Sequence, residues 1–193
     1  MPAATLPRWS TAARGIDGKG GAVARTPVRE AVRADLEVVF RSDYARVVGV
    51  AARVLGSRND AEDVAQEVFL AFGRSSVPAA EAPGWLSVAA VHTALNQVRS
   101  GRRRASREET VSEHPVEPDV ADTVVVREER SRVRAALGRL PRKQAVCLVL
   151  RHSGMSYTDI AAALDLSPGS VGTTVRRAES ALRKELNQHA SSD

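Results

Sequence analysis

Cysteine is nearly absent from this chain of 193 residues, which carries only Cys147. One thiol supports neither a disulfide framework nor a Cys-rich metal site. Flanked by Val146 and Leu148 in an apolar stretch, it reads as a small buried hydrophobe. Aromatic residues make up only 4%, and no sustained alternation of β-branched residues suggests a sheet. No apolar run approaches the ~20 residues of a membrane helix, and Met1 to Ser10 lack the apolar core of a signal peptide. The sequence also lacks any cluster of carboxylates, histidines or a nucleophilic serine with basic partners. That leaves no candidate catalytic residue, no metal site and no cofactor, and weakens a nucleic-acid enzyme such as a recombinase as a reading. These absences predict an all-α, cytoplasmic protein that is not an enzyme and does not insert into a membrane.

What is present is basic. Lys and Arg number 28 against 23 Asp and Glu, a formal net charge of +5, and the sequence pI is near 10.1. Such a balance favours an anionic partner such as nucleic acid. With 43% hydrophobic and 26% charged residues, the chain has room for two small helical domains joined by a flexible linker. Residues 1–30 mix glycine, proline and scattered basic residues and are expected to be a disordered tail. A helical domain is expected over 31–105, a linker rich in Glu and Pro over 106–125, a second helical domain over 126–187 and a short tail over 188–193.

The clearest local signals lie in the second domain. Ser156 precedes Asp159 by three residues, the spacing of a capping box at a helix start. Ile160, Ala161 and Leu164 recur at helical spacing, Asp165 tolerates the left-handed turn that must follow, and Ser167-Pro168 is a cap and first-turn pair. Two short helices joined by a tight turn form a helix-turn-helix, whose second helix lies in the DNA major groove. On that helix Val171, Val175, Ala178 and Leu182 share one face, and Gly169, Thr173, Arg176 and Arg177 the other, with Ser170 beside them in the first turn. The polar face offers close approach to phosphate, a hydroxyl and methyl for base edges, and two guanidiniums. The same pattern fits a solvated helical hairpin. Upstream, Val126, Val133, Leu137 and Leu140 mark one supporting helix, and a second runs from Pro141 to a stop at Gly154.

In the first domain Leu36, Phe40, Tyr44, Val47, Val48, Ala51 and Leu55 define a helix ending at Gly56, and 56–59 reads as a turn. A second helix starts at Asp60, with Ala61, Val64, Ala65, Val68 and Phe72 on its inner face. Its outer face carries Asp60, Asp63, Gln66, Glu67 and Leu70, an acidic stripe with an apolar residue in it, suited to docking a partner or equally to facing water. A third helix, opening at Gly84 or Trp85 and running to Arg99, is apolar almost all round, so its periodicity does not tell which face is buried. His92 and Asn96 lie one turn apart on it, and without a neighbouring ligand set His92 is no metal ligand. Arg99, Arg102, Arg103, Arg104 and Arg107 follow, enough charge for several phosphates or for a solubilising domain edge.

Taken together, residues 35 to 186 resemble the small two-domain sigma factors of the extracytoplasmic-function subgroup of the sigma-70 family. Asp60 to Phe69 resembles the acidic helix that such factors lay on the largest subunit of RNA polymerase. Trp85-Leu86 through Arg104 resembles the helix that reads and opens the proximal promoter element, and Leu140 through Leu182 the domain that reads the distal element. The resemblance implies core RNA polymerase and promoter DNA as partners. It assigns polymerase binding to Asp60, Asp63, Gln66, Glu67 and Leu70, charge for the DNA strand to Arg99, Arg102 and Arg103, and hydrogen bonds to strand or bases to His92 and Asn96. The last two stand where the family commonly has asparagine and aspartate, and Gly172 where it commonly has lysine. Family members are often held by anti-sigma proteins, and no residue here identifies one. A conventional helix-turn-helix regulator is the alternative. It needs only the second domain, and a tight footprint on a palindromic operator without polymerase would mark it.

Overall fold

The computed structural model describes residues 33–105 and 124–190, with side chains over 33–101 and 128–188. The expected tail over 1–30 and nearly all of the expected linker fall outside them. Helix α1, Leu36–Leu55, buries Val39, Val47, Val50, Ala51 and Val54 along one side. It stops at Gly56, whose φ of 73° suits a residue without Cβ and whose N–H donates to the Ala52 carbonyl at 2.7 Å. Helix α2, Arg58–Gly73, begins two residues earlier than the sequence predicts, because the Ser57 hydroxyl accepts from the Asp60 N–H at 3.3 Å and caps the first turn. Its whole predicted inner face, from Ala61 to Phe72, is buried against α1.

A short 3-10 turn, Ala79–Glu81, leads into α3, Ala82–Ala105, which extends past the predicted helix at both ends. Leu86, Val88, Ala90, Val91 and Leu95 are all buried. The helix is apolar nearly all round because it is covered on two sides. It packs on α1 and α2 and also on the helices of the second half.

That half comprises α4, Val124–Arg139, α5, Arg142–His152, α6, Tyr157–Leu164, and α7, Pro168–Ala190. The capping box forms: the Asp159 N–H donates to the Ser156 hydroxyl at 3.0 Å while the Ser156 N–H donates to the Asp159 carboxylate. Asp165 takes the left-handed conformation at φ 54°, and the Ser167 hydroxyl caps α7 by accepting from the Ser170 N–H at 3.2 Å. Cys147 is buried in α5, where burial pushes its thiol pKa up. Among the described residues there is no strand, and no helix is long and apolar enough to cross a membrane.

One apolar cluster runs from Val39 of α1 to Ala178 of α7. Helix α3 contributes to it on both of its sides, so the two helical halves pack against each other. Gly84, in the first turn of α3, lies so near α6 that a Cβ there would come within 3.2 Å of the Ala163 Cβ.

Candidate nucleic-acid interface

Three faces carry the side chains predicted to act, and two of them are open. On α7, Val171, Val175 and Ala178 point into the core, which leaves Gly169, Ser170, Thr173, Arg176 and Arg177 exposed. The Thr173 hydroxyl donates to the Gly169 carbonyl at 3.0 Å. Gly172, by contrast, is buried beside the Tyr157 ring and does not belong to this face.

On α2, Asp60, Asp63, Gln66, Glu67 and Leu70 are all exposed, Leu70 at 60% of its surface. Sequence reasoning missed what lies beside them. Phe40, itself 40% exposed, stacks edge-on against Phe69 with ring centroids 4.9 Å apart. Leu36, Phe40, Gln66, Phe69 and Leu70 line a groove of about 550 Å³ between α1 and α2. Arg33 fixes the groove's end: it pairs with Asp35, donates to the Val77 carbonyl at 2.7 Å and lies over the Phe72 ring. Phe40 was legible only as core periodicity and Phe69 was not placed on either face, and the cleft between two helices has no signature within either one.

The third face is closed. His92, Asn96 and Arg99 share one side of α3, as spacings of four and three require, but that side meets the second half of the molecule. His92 is only 4% exposed. The Arg142 guanidinium, in the first turn of α5, donates through Nε to His92 Nδ1 at 2.8 Å and through Nη1 to Asn96 Oδ1 at 2.8 Å. Arg99 reaches the end of α4, donating to the Gly138 carbonyl at 3.2 Å and the Leu140 carbonyl at 2.8 Å. These carbonyls are helix-terminal acceptors at the negative end of the α4 dipole, so a guanidinium suits them. Burial, with Arg142 and Arg99 adding like charge, lowers the His92 pKa to about 4, so the ring is neutral and its Nδ1 accepts. Arg102 and Arg103 lie in the last turns of α3, and their side chains fall outside the described ones.

An exposed basic helix-turn-helix, joined through a shared helix to a body with an acidic and partly apolar outer face, defines a DNA-binding protein that also docks another protein. The family models agree: residues 39–104 match sigma-70 region 2 and residues 130–182 match sigma-70 region 4. The chain is 30% identical over 187 residues to the ECF RNA polymerase sigma factor SigK of Mycolicibacterium vanbaalenii, covering 86% of this chain and 95% of that one. It is 28% identical over 151 residues to SigK of Mycobacterium tuberculosis, covering 74% and 81%. A solved structure, the sigma factor RpoE of Bartonella quintana in complex with the anti-sigma factor NepR, matches 80% of this chain and 98% of that one at a TM-score of 0.49 and 19% identity. The chain belongs to the extracytoplasmic-function RNA polymerase sigma factors. It is a regulatory protein of promoter recognition and transcription initiation, and the reading as a stand-alone helix-turn-helix regulator falls away.

Proposed function

We propose that the three faces divide the work of initiation. The acidic stripe of Asp60, Asp63, Gln66, Glu67 and Leu70 attaches the factor to core RNA polymerase, with the adjoining groove taking an apolar side chain of that partner. Gly169, Ser170, Thr173, Arg176 and Arg177 read the distal promoter element in the major groove. His92, Asn96, Arg99, Arg102 and Arg103 hold the proximal element as its strands part, a step in which bases leave the stack and are retained by charge and hydrogen bonds. The protein adds no covalent chemistry of its own and works in the cytoplasm, where polymerase and promoters are. An anti-sigma protein is a fitting further partner.

The observation that carries this reading is the presence, in one chain, of a solvent-exposed acidic face holding Leu70 and a basic recognition helix. Reversing charge at two stripe positions, Asp63→Lys with Glu67→Lys, tests it. Both residues are exposed, so the fold is expected to survive, as circular dichroism would show. Co-purification with core polymerase is expected to be lost, and undiminished attachment would overturn the assignment.

A further inference from the structure

The groove between α1 and α2 is apolar where it opens to solvent. Leu36, Phe40, Phe69 and Leu70 line it, about 550 Å³ in all, and Phe40 and Leu70 are both exposed. Its rim is acidic, with Glu37 in the wall and Asp63 and Glu67 exposed beside it. An apolar trough with an anionic rim fits a short segment that carries apolar residues on one side and cations next to them. This chain holds such a segment at the groove's own end. Arg33 lines the groove and is pinned there by Asp35 at 2.6 Å and by the Val77 carbonyl at 2.7 Å. The Leu36 N–H donates to the Arg33 carbonyl at 3.1 Å and closes a turn, so the chain that precedes Arg33 enters from beside the trough.

In the sequence just before it, Val28, Ala31 and Val32 recur at the spacing of one helical face, behind Thr26-Pro27, a cap and first-turn pair like Ser167-Pro168. Arg25 and Arg29 stand four residues apart among them. We propose that residues 25–32, which lie outside the described ones, fold back at the Arg33 turn and seat in the groove between α1 and α2. Val28, Ala31 and Val32 lie against Phe40, Phe69 and Leu70, and Arg25 and Arg29 face Asp63 and Glu67. Reach is ample: eight residues span ~12 Å as a helix and ~26 Å extended, against ~6 Å from Leu36 to Phe40 along α1. A short tether holds the segment at an effective concentration of about millimolar, so a weak intrinsic affinity suffices. Ion pairs on so exposed a rim contribute little, so apolar burial carries the affinity and the charges set the orientation. The seated segment covers Leu70 and competes with the polymerase side chain assigned to the groove, a consequence that rests on the function proposed above. A segment seated nine-tenths of the time lowers the apparent affinity for core polymerase by about tenfold.

Methyl spectra of the full-length chain test this. Leu70 is remote in sequence from the segment, so its methyl resonances respond to substitutions there only if the segment lies on it. Val28→Asp with Val32→Asp is expected to shift the Leu70 resonances and to tighten attachment to core polymerase by up to about tenfold. A synthetic peptide of residues 25–32, added to that variant at about millimolar concentration, is expected to move the resonances back. Should the variant fail to fold by circular dichroism, Arg25→Glu with Arg29→Glu takes its place and is expected to shift the same resonances. Leu70 resonances indifferent to both pairs of substitutions overturn the proposal. So do resonances that move with protein concentration instead, which make a second copy of the chain the occupant, and resonances that move only when core polymerase is added, which make polymerase the sole occupant. If the Leu70 resonances shift while attachment to polymerase is unchanged, the segment is seated as proposed and the groove's assignment to polymerase is what fails.

Discussion

A single planar guanidinium holds His92 and Asn96 because the two side chains stand one helical turn apart and both present acceptors. Lysine in place of Arg142 would offer a point charge without the fork, so the exchange is not conservative here. The arrangement also makes the contact sensitive to protons. The imidazole must be neutral to accept from Arg142, and its pKa falls from 6.5 to about 4 in the docked form. Above pH 6.5 the ring is neutral whether docked or released, and the contact contributes fully. Between pH 6.5 and 4 the released form takes up a proton first, so docking weakens by up to about tenfold per pH unit; below 4 the loss levels off. A fluorescence pair reporting the distance between α2 and α7 should show opening as pH falls from 7.5 to 5, and His92→Gln should flatten the response. At the distal face, Arg176→Ala removes an exposed guanidinium. It is expected to weaken binding of the distal element by about 1–3 kcal/mol if that arginine reads a base, with attachment to core polymerase unchanged in the same pull-down.

At the scale of the helix, most boundaries answer to local chemistry. The capping box of α6 is built from two side chains three residues apart. Ser156→Ala should lower stability by ~0.5–2 kcal/mol, read in thermal unfolding as a shift of ~2–4 °C per kcal/mol for a chain of this size. Such signals were legible in the sequence because each depends on near neighbours: Gly56 as a left-handed stop, Asp165 as a turn, Ser167-Pro168 as a start. The start of α2 was misplaced because the Ser57 hydroxyl caps a turn that apolar periodicity does not mark. The two buried faces of α3 were visible as an absence of polarity, but what covers the second face was not. Arg142 reaches its two partners across 50 and 46 residues of sequence, and hydrophobic spacing reports which side of a helix is inside, never what it meets. The groove beside Leu70 was hidden for the same reason, since its walls come from α1 and α2 together.

Over the whole molecule, the three candidate faces differ in exposure. The faces of α2 and α7 proposed for polymerase and for duplex DNA both point outward. The His92, Asn96 and Arg99 side of α3 is instead turned toward the second half. One apolar cluster spanning α1 to α7 means that separating the halves would expose apolar surface.

With a net charge of +5, a protein of this size invites indiscriminate adhesion to any polyanion it encounters. The Arg99 and Arg142 donors are turned toward internal neutral acceptors, which occupies their direct contacts without changing the net charge. Separating the halves would return both guanidiniums to the surface, and salt-dependent adhesion to bulk RNA and DNA would rise with them.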